Sequence, residues 1–469
     1  MAAPSYTTDL NLINDAETNT NWAELASTYN SGCSATQDPD YFIQNSNCVS
    51  QSLSASKSGL LFSLVYESGA DQSGNFNAGD CFFMWQVLLA GNAMATFNNG
   101  GLRAVIGTDQ SNFDAWFTGG SDFGRNPYGG WQNVAVDPTF PPDQTVGTPT
   151  TYQWFGSLLN TVATISKGNL HGVDVIRYGR GELIIEDGDA ANGYGTFEGM
   201  ASQNDSQNNR WGLFQEQAGS YLWKGLMSFG VSAGSPTQAV DFRVENRVIT
   251  VDDTPRTYLE FNKIEINNSA SRVDWTNIQI TALGTFSPGT FEVVDNADVN
   301  KDTCIFTDMG KFSYLSNSTI LTTTYRRCDA VTQNGATFTG CVFDDHKAST
   351  GSPATLDAAL LADNLSVITN CNFIAGTAAA GSPAGAGHAI EITTAAAAGS
   401  PTSFDFTGNT FTGFGADGTT DAAIYNNSGT QIIINILSGD TPTVRNGVGS
   451  STILNNSVTL LVQGVTEWA

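Results

Sequence analysis

Carboxylates are the groups in this chain best placed to do chemistry. Three neighbouring pairs stand out: Glu182 with Glu186, Asp252 with Asp253, and Asp344 with Asp345, the last followed by His346. Cleaving a glycosidic bond takes two carboxyl groups about 5–10 Å apart, one of them with a raised pKa so that it can donate a proton. Glu182 and Glu186 are four apart and would share one face of a strand. With 45 acidic side chains in 469 residues, such neighbours arise by chance, and no catalytic residue is assigned. The histidines, His171, His346 and His388, show no H-x-x-x-H or related spacing, so each reads as a packing or surface residue and not as a ligand. Asp187-Gly188-Asp189-Ala190-Ala191-Asn192-Gly193 hints at a calcium loop, but its spacing misses the EF-hand pattern. No metal and no cofactor is expected.

Aromatic rings are the better binding signal. Seven of the nine tryptophans precede residue 250. Trp116, Tyr128 and Trp131 lie in or beside Gly-rich turns, where exposed rings could stack on sugars; the competing reading makes Trp116 and Trp131 core residues of half-buried strands.

These residues must be positioned by strands. Charged residues are only 14% of the chain, hydrophobic residues 40%, and Gly reaches 49. Such a mixture suits strands and turns and lacks the Ala/Leu/Glu/Lys texture of helical proteins. The length favours two domains. A net charge of −26 repels phosphate backbones and anionic membranes, so neither nucleic acid nor membrane is an expected partner. Residues 1–30 show no basic segment followed by an apolar run, and synthesis in the cytosol is expected. Seven cysteines without a C-x-x-C pair argue against zinc sites and a disulfide framework. Cys33 and Cys48 could pair, but free thiols are the reading.

Residues 1–35 are polar and weakly patterned, an arm that could dock on a neighbour. Residues 36–204 alternate short apolar runs with Gly/Asn/Asp turns, as in Tyr41–Ser50, Cys81–Leu89 and Trp131–Val136, which predicts a sandwich or jelly roll. Residues 205–469 repeat. Thr303-Cys304-Ile305-Phe306, Gly340-Cys341-Val342-Phe343, Asn370-Cys371-Asn372-Phe373 and Gly408-Asn409-Thr410-Phe411 each place a small or amide residue two positions before an aromatic; segments around Asn277 and Thr323 fit less well. The register positions 277, 304, 323, 341, 371 and 409 are separated by 27, 19, 18, 30 and 38 residues. The shorter steps suit a bare coil of three strands, and the longer ones carry Gly-Ser-Pro insertions at 351–353, 381–383 and 399–401. Side chains two apart in a strand share a face. Stacked coils would therefore build an aromatic ladder from Phe306, Tyr325, Phe343, Phe373 and Phe411. Cys304, Cys341 and Cys371 would form a second ladder of small buried thiols. Apolar strands such as Ile432–Leu437 and Ser457–Val462 would cap the stack or pair between chains. The fold class is all-β: an N-terminal jelly-roll or concanavalin-like sandwich followed by a C-terminal parallel β-helix.

Met1-Ala2-Ala3-Pro4, Thr7-Thr8-Asp9-Leu10, Tyr128-Gly129-Gly130-Trp131, Trp223-Lys224-Gly225-Leu226-Met227-Ser228-Phe229-Gly230, Phe261-Asn262-Lys263-Ile264-Glu265-Ile266-Asn267-Asn268 and Phe306-Thr307-Asp308-Met309 resemble uncharacterised virion structural proteins of marine tailed phages. The resemblance covers most of the length. It implies a virion location after synthesis in the host cytoplasm, with other virion proteins of capsid or tail as partners, and it supplies no catalytic residues. A structural role on the particle surface is the leading expectation, as fibre, spike or decoration protein, with host glycans as candidate ligands. Its rivals are a polysaccharide-degrading tailspike and a capsid cement protein. Exposed sheet edges favour a closed homo-oligomer, and the resemblance favours a trimer.

Overall fold

The computed structural model describes residues 11–23, 34–43, 45–52, 61–76, 80–89, 101–118, 131–139, 141–160, 170–179, 182–185, 196–204, 214–217, 219–230, 239–251, 262–282, 289–345, 358–376, 387–393, 402–419 and 421–456. The chain is almost entirely β, with one short α-helix, Phe197–Asn204, among the described residues. It divides into two compact units. The first comprises residues 1–231, 248–265 and 282–289; the second comprises 232–247, 266–281 and 290–469.

Two six-stranded antiparallel sheets dominate the first unit. In one, Leu170–Gly179 runs between Cys48–Ser52 and Cys81–Leu89, and the latter also pairs with Trp131–Val136. In the other, Trp154–Asn160 lies between Leu61–Glu67 and Gly101–Asp109. Facing side chains of the two sheets, among them Phe82, Met84 and Ile176 from the first and Leu64, Ile106 and Phe155 from the second, form one core. The run Cys81–Leu89 is apolar on both faces for a reason. While Phe82 and Met84 enter the sandwich, Trp85 packs on the other side against Ile43 and Val175. A bulge between Asp174 and Ile176 puts Val175 at φ 41°, strained for a β-branched residue, and aims it into that outer cluster. The Asp174 carboxylate, inside the bulge, accepts the Ile43 backbone N–H at 2.6 Å.

Two expected boundaries move. Part of the arm belongs to the sandwich: Asn11–Asn14 pairs with Leu170–Gly179, Trp22–Ala23 pairs with Leu61–Glu67, and Ala16 and Trp22 are buried in the core. The polar residues between these anchors serve turns, which is why the segment reads as unpatterned; Glu17, for example, gathers Ser46 and Asn47 through both backbone and side chain. Parallel pairing also begins before residue 205, since Glu182–Ile185 pairs with Leu226–Phe229. Of the expected strand Tyr41–Ser50, only the end is extended, as the start of Cys48–Ser52.

The second unit is a parallel solenoid with three strands per coil, in register from coil to coil. One inward row runs Phe291, Phe312, Val331, Leu360, Ile390, Ile424 and Val444. A second runs Trp275, Lys301, Ile320, Phe338 and Ile368. A third runs Ile280, Phe306, Tyr325, Phe343, Phe373 and Phe411. Between the second and third strands the backbone turns at one left-handed residue per coil: Asn277, Thr303, Thr322, Gly340, Asn370 and Gly408, with φ from 43° to 71°. Asn and Gly accept that conformation readily. A side chain at Gly408 would also collide with the Asn370 side chain, since a Cβ there lies 2.0 Å from Oδ1.

The corner corrects the first register position. Gln279 pairs with Ile305, so Ile278, not Asn277, stands opposite Cys304, and the first step is 26 residues instead of 27. Asn277 is the corner residue; the repeating frame is left-handed residue, small side chain, outward residue, aromatic. Gln431–Gly439 is likewise an ordinary rung, paired with Thr402–Thr412 and Ser451–Asn456, with Ile432, Ile434 and Ile436 inward. Those three isoleucines serve the core, whereas Leu437 at the end of the run is exposed. Ser457–Val462 and the Gly-Ser-Pro insertions lie outside the described residues.

Candidate functional site

The ladder residues come together within the second unit. Phe306 and Tyr325 have ring centroids 5.5 Å apart, Tyr325 and Phe343 5.2 Å, Phe343 and Phe373 4.8 Å, and Phe373 and Phe411 5.4 Å. The last three pairs are stacked, at interplanar angles of 11°, 4° and 16°. Phe306, Tyr325, Phe343 and Phe373 are buried, and Phe411 is half-buried. Each contact adds about 0.5–1.5 kcal/mol beyond simple area burial. Cys304, Cys341 and Cys371 are buried free thiols just after the corner. Their S–H groups reach backbone carbonyls, Cys304 to Trp275 at 3.4 Å and Cys341 to Ile320 at 3.4 Å. Burial pushes Cys304 up to about 11, so the thiolate needed for nucleophilic chemistry is disfavoured. Thr323 fills the same position in its coil and sends its hydroxyl to the Leu321 carbonyl, as the cysteines send theirs. Cys328, which the small-x-aromatic frame passes over, is buried after a second left-handed corner at Arg327 and bonds the Phe306 carbonyl.

Of the three sugar-stacking candidates, the structure describes Trp116 and Trp131. Trp116 is 2% exposed and belongs to the sandwich core. Asn112–Phe117 alternates its faces, and the inward face takes the indole. Trp131 is half-buried against the Ile43, Trp85 and Val175 cluster. Tyr128 lies outside the described residues.

Of the carboxylate pairs, only Asp344 and Asp345 have described side chains. Asp344 accepts Arg326 at 2.9 Å, and Asp308 holds Arg327 through two bonds of 2.9 and 2.8 Å. Asp345 occupies the left-handed corner beside them at φ 52°. Asp344 and Asp308 are thus engaged with guanidinium groups. Glu186, Asp252, Asp253, His346 and the loop 187–193 lie outside the described residues, as does the Glu182 side chain. Among the described residues no cluster of three or more metal-ligating side chains occurs.

Two buried polar systems escape a sequence reading. In the sandwich core His171 meets Gln51 through Nδ1 at 3.1 Å and Ser157 Oγ through Nε2 at 2.9 Å. Ser157 bonds the Gln86 side chain at 3.0 Å, Gln86 bonds the Thr118 hydroxyl, and Gln51 donates to the Ser63 carbonyl at 3.1 Å. Residues 51, 86 and 171 come from one sheet and residues 63 and 157 from the other, so the chain of bonds ties the two sheets together. Burial drives His171 down to about 3, so the ring is neutral. His388 is also buried, its Nδ1 bonded to the Ala422 carbonyl at 2.6 Å. In the solenoid core Lys301, 1% exposed, sits 3.2 Å from the Phe291 ring centre and 4.6 Å from that of Phe306. Its Nζ donates to the Tyr314 hydroxyl at 2.8 Å, which is 2.7 Å from the Tyr325 hydroxyl. Burial pulls Lys301 well below the ordinary lysine range and raises both tyrosines well above theirs.

No protein-family model matches the chain, and no curated protein matches it. Among solved structures it is similar to the Agl-KA catalytic domain, at 12% identity over 97% of this chain and 100% of that one, with a TM-score of 0.21. It is similar to the catalytic domain of a GH87 alpha-1,3-glucanase in complex with nigerose at 9% identity, 94% and 86% coverage and a TM-score of 0.20. The catalytic unit of the thermostable GH87 alpha-1,3-glucanase from Streptomyces thermodiastaticus gives 10% identity, 95% and 97% coverage and a TM-score of 0.21. Superposition this poor carries no argument about function.

Proposed function

We propose that this chain is a structural component of a tailed-phage particle surface, a homotrimer whose solenoid presents polar walls to host glycans. The observation that carries the reading is the unbroken interior ladder from Phe306 to Phe411, which makes the coils a stiff support. Around it the outward positions hold one another: Thr322 donates to Asp302 at 2.5 Å, Arg326 to Asp344, and Asn435 to Asp405 at 3.0 Å. Side chains braced from coil to coil are suited to display, because little rotamer entropy is left to lose when a ligand binds.

Quantitative mass spectrometry of purified particles, with antibody labelling under the electron microscope, tests the location. A fixed copy number and surface label are expected; absence from washed particles would overturn the proposal. Incubating the purified chain with host polysaccharide adds a second readout. Release of reducing ends would replace the structural reading with a depolymerase. Light scattering tests the trimer, and a stable monomer that also occurs singly on the particle would remove it.

A further inference from the structure

On the wall that carries the inward row from Phe291 to Val444, the outward row ends in Glu391, Tyr425 and Arg445, paired in register on successive coils. Arg445 differs from four arginines on the other walls of the solenoid. Arg243, Arg272, Arg326 and Arg327 each pair with an aspartate, whereas Arg445 meets no carboxylate among the described residues. Its guanidinium carbon lies 4.8 Å from the Tyr425 ring centre. Its Nη1 is 3.4 Å from His388 Nε2. The tautomer follows: His388 Nδ1 faces the Ala422 carbonyl at 2.6 Å and must carry the hydrogen, which leaves Nε2 as the acceptor for Arg445. His388 in turn stacks on Tyr425 with centroids 4.9 Å apart. Tyr425 is itself fixed, donating to Asn427 Oδ1 at 3.3 Å, while Asn427 Nδ2 donates to Glu391 at 2.8 Å.

The arginine is thus held by a ring and a buried imidazole, with most of its five donors uncommitted among the described residues. The ring contact contributes about 0.5–1 kcal/mol, but it leaves the guanidinium, in a chain of net charge −26, without a counter-ion among the described residues. We infer that Arg445 is the anchor of a ligand site for the carboxylate of an acidic sugar, with Tyr425 and Asn427 as the neighbouring polar groups that meet the sugar hydroxyls. A planar guanidinium binds a carboxylate through two parallel bonds, a geometry lysine cannot reproduce. The inference rests on the glycan-display reading and narrows it to a ligand class.

Calorimetric titration of the full chain with trigalacturonate tests it, with neutral galactotriose and inorganic phosphate as parallel probes. Trigalacturonate should bind in a salt-sensitive manner, Arg445→Lys should weaken it about tenfold through loss of the paired bonds, and Arg445→Met should abolish it. Tyr425→Phe keeps the ring against Arg445 and should weaken binding less, which guards against misfolding of the methionine variant. Equal binding of galactotriose, or unchanged trigalacturonate binding by Arg445→Met, would overturn the acidic-sugar site while leaving the display reading intact. Phosphate competing as well as trigalacturonate would reduce it to a general anion site and overturn the sugar assignment. Failure of the particle-location experiment is a separate result and would bear on the virion reading alone.

Discussion

The two cores bury polar groups by opposite means. In the sandwich, polar side chains find one another across the sheets, through Gln51, His171, Ser157 and Gln86. In the solenoid, thiols and hydroxyls turn back to carbonyls of their own coil or the previous one, and a single lysine is surrounded by rings. Topology explains the contrast. Sandwich neighbours are distant in sequence, so a buried group is satisfied only if several far-apart positions agree. Each coil of a solenoid meets an almost identical coil, so a solution found once can be repeated locally.

Breaking the ladder should have the largest effect. Phe343→Ala removes a ring stacked on both sides and should cost roughly 3–5 kcal/mol, read as a lower urea midpoint for the second unit. A loss under about 1 kcal/mol would mean that neighbouring coils close over the gap and that the ladder is not a tight core.

The His171 network is the sharper test of the other half. Its folded pKa of about 3 lies below the ordinary 6.5, so below pH 6.5 the unfolded chain takes up a proton that the folded chain refuses. Stability is therefore fully present above pH 6.5 and is lost as pH falls toward 3, by about 1.4 kcal/mol per unit. His171→Gln should flatten that slope in an acid titration followed by near-UV circular dichroism. Ser157→Ala should cost about 1–3 kcal/mol at neutral pH by leaving partners unsatisfied.

At Lys301 the sign reverses. Removing a poorly solvated amine should help, so Lys301→Met is expected to raise the solenoid's stability by about 1 kcal/mol or more. The wild type should gain stability as pH rises toward the ordinary lysine value of 10.5, where the folded amine has already lost the proton that the unfolded lysine still holds; the methionine variant should lack that gain. Destabilisation by Lys301→Met would show that the cage favours the ammonium. The smallest effect is expected on the surface, where Arg327→Ala breaks the pair with Asp308 and should change stability by less than about 1 kcal/mol.

Sequence revealed what repetition made visible. Because register stacking superimposes equivalent positions, Cys341 and Phe343 announce the coil that Cys371 and Phe373 repeat. The frame slipped by one at Asn277 since an amide fits a left-handed corner as well as a small inward site. Lys301 was invisible: between Asn300 and Asp302 it reads as one charge in a polar strand, and only its neighbours across coils reveal an inward position. The His171 network was hidden for a different reason, since its members lie up to 120 residues apart and share no local pattern. Gly119 and Gly120 close behind Trp116 left an exposed ring open beside the core reading, and its own strand places the indole in the core.

The left-handed corners have an evolutionary consequence. From Thr322 to Gly340 is 18 residues, and each stretch of that kind begins and ends at the same backbone conformation with the same side-chain orientation. A duplication or deletion between two corners would join equivalent dihedral angles and leave every later rung in phase. The rod can therefore change length in whole coils, by about 4.8 Å at a time, without inventing a new core. Recombination can adjust its reach as one adds links to a chain.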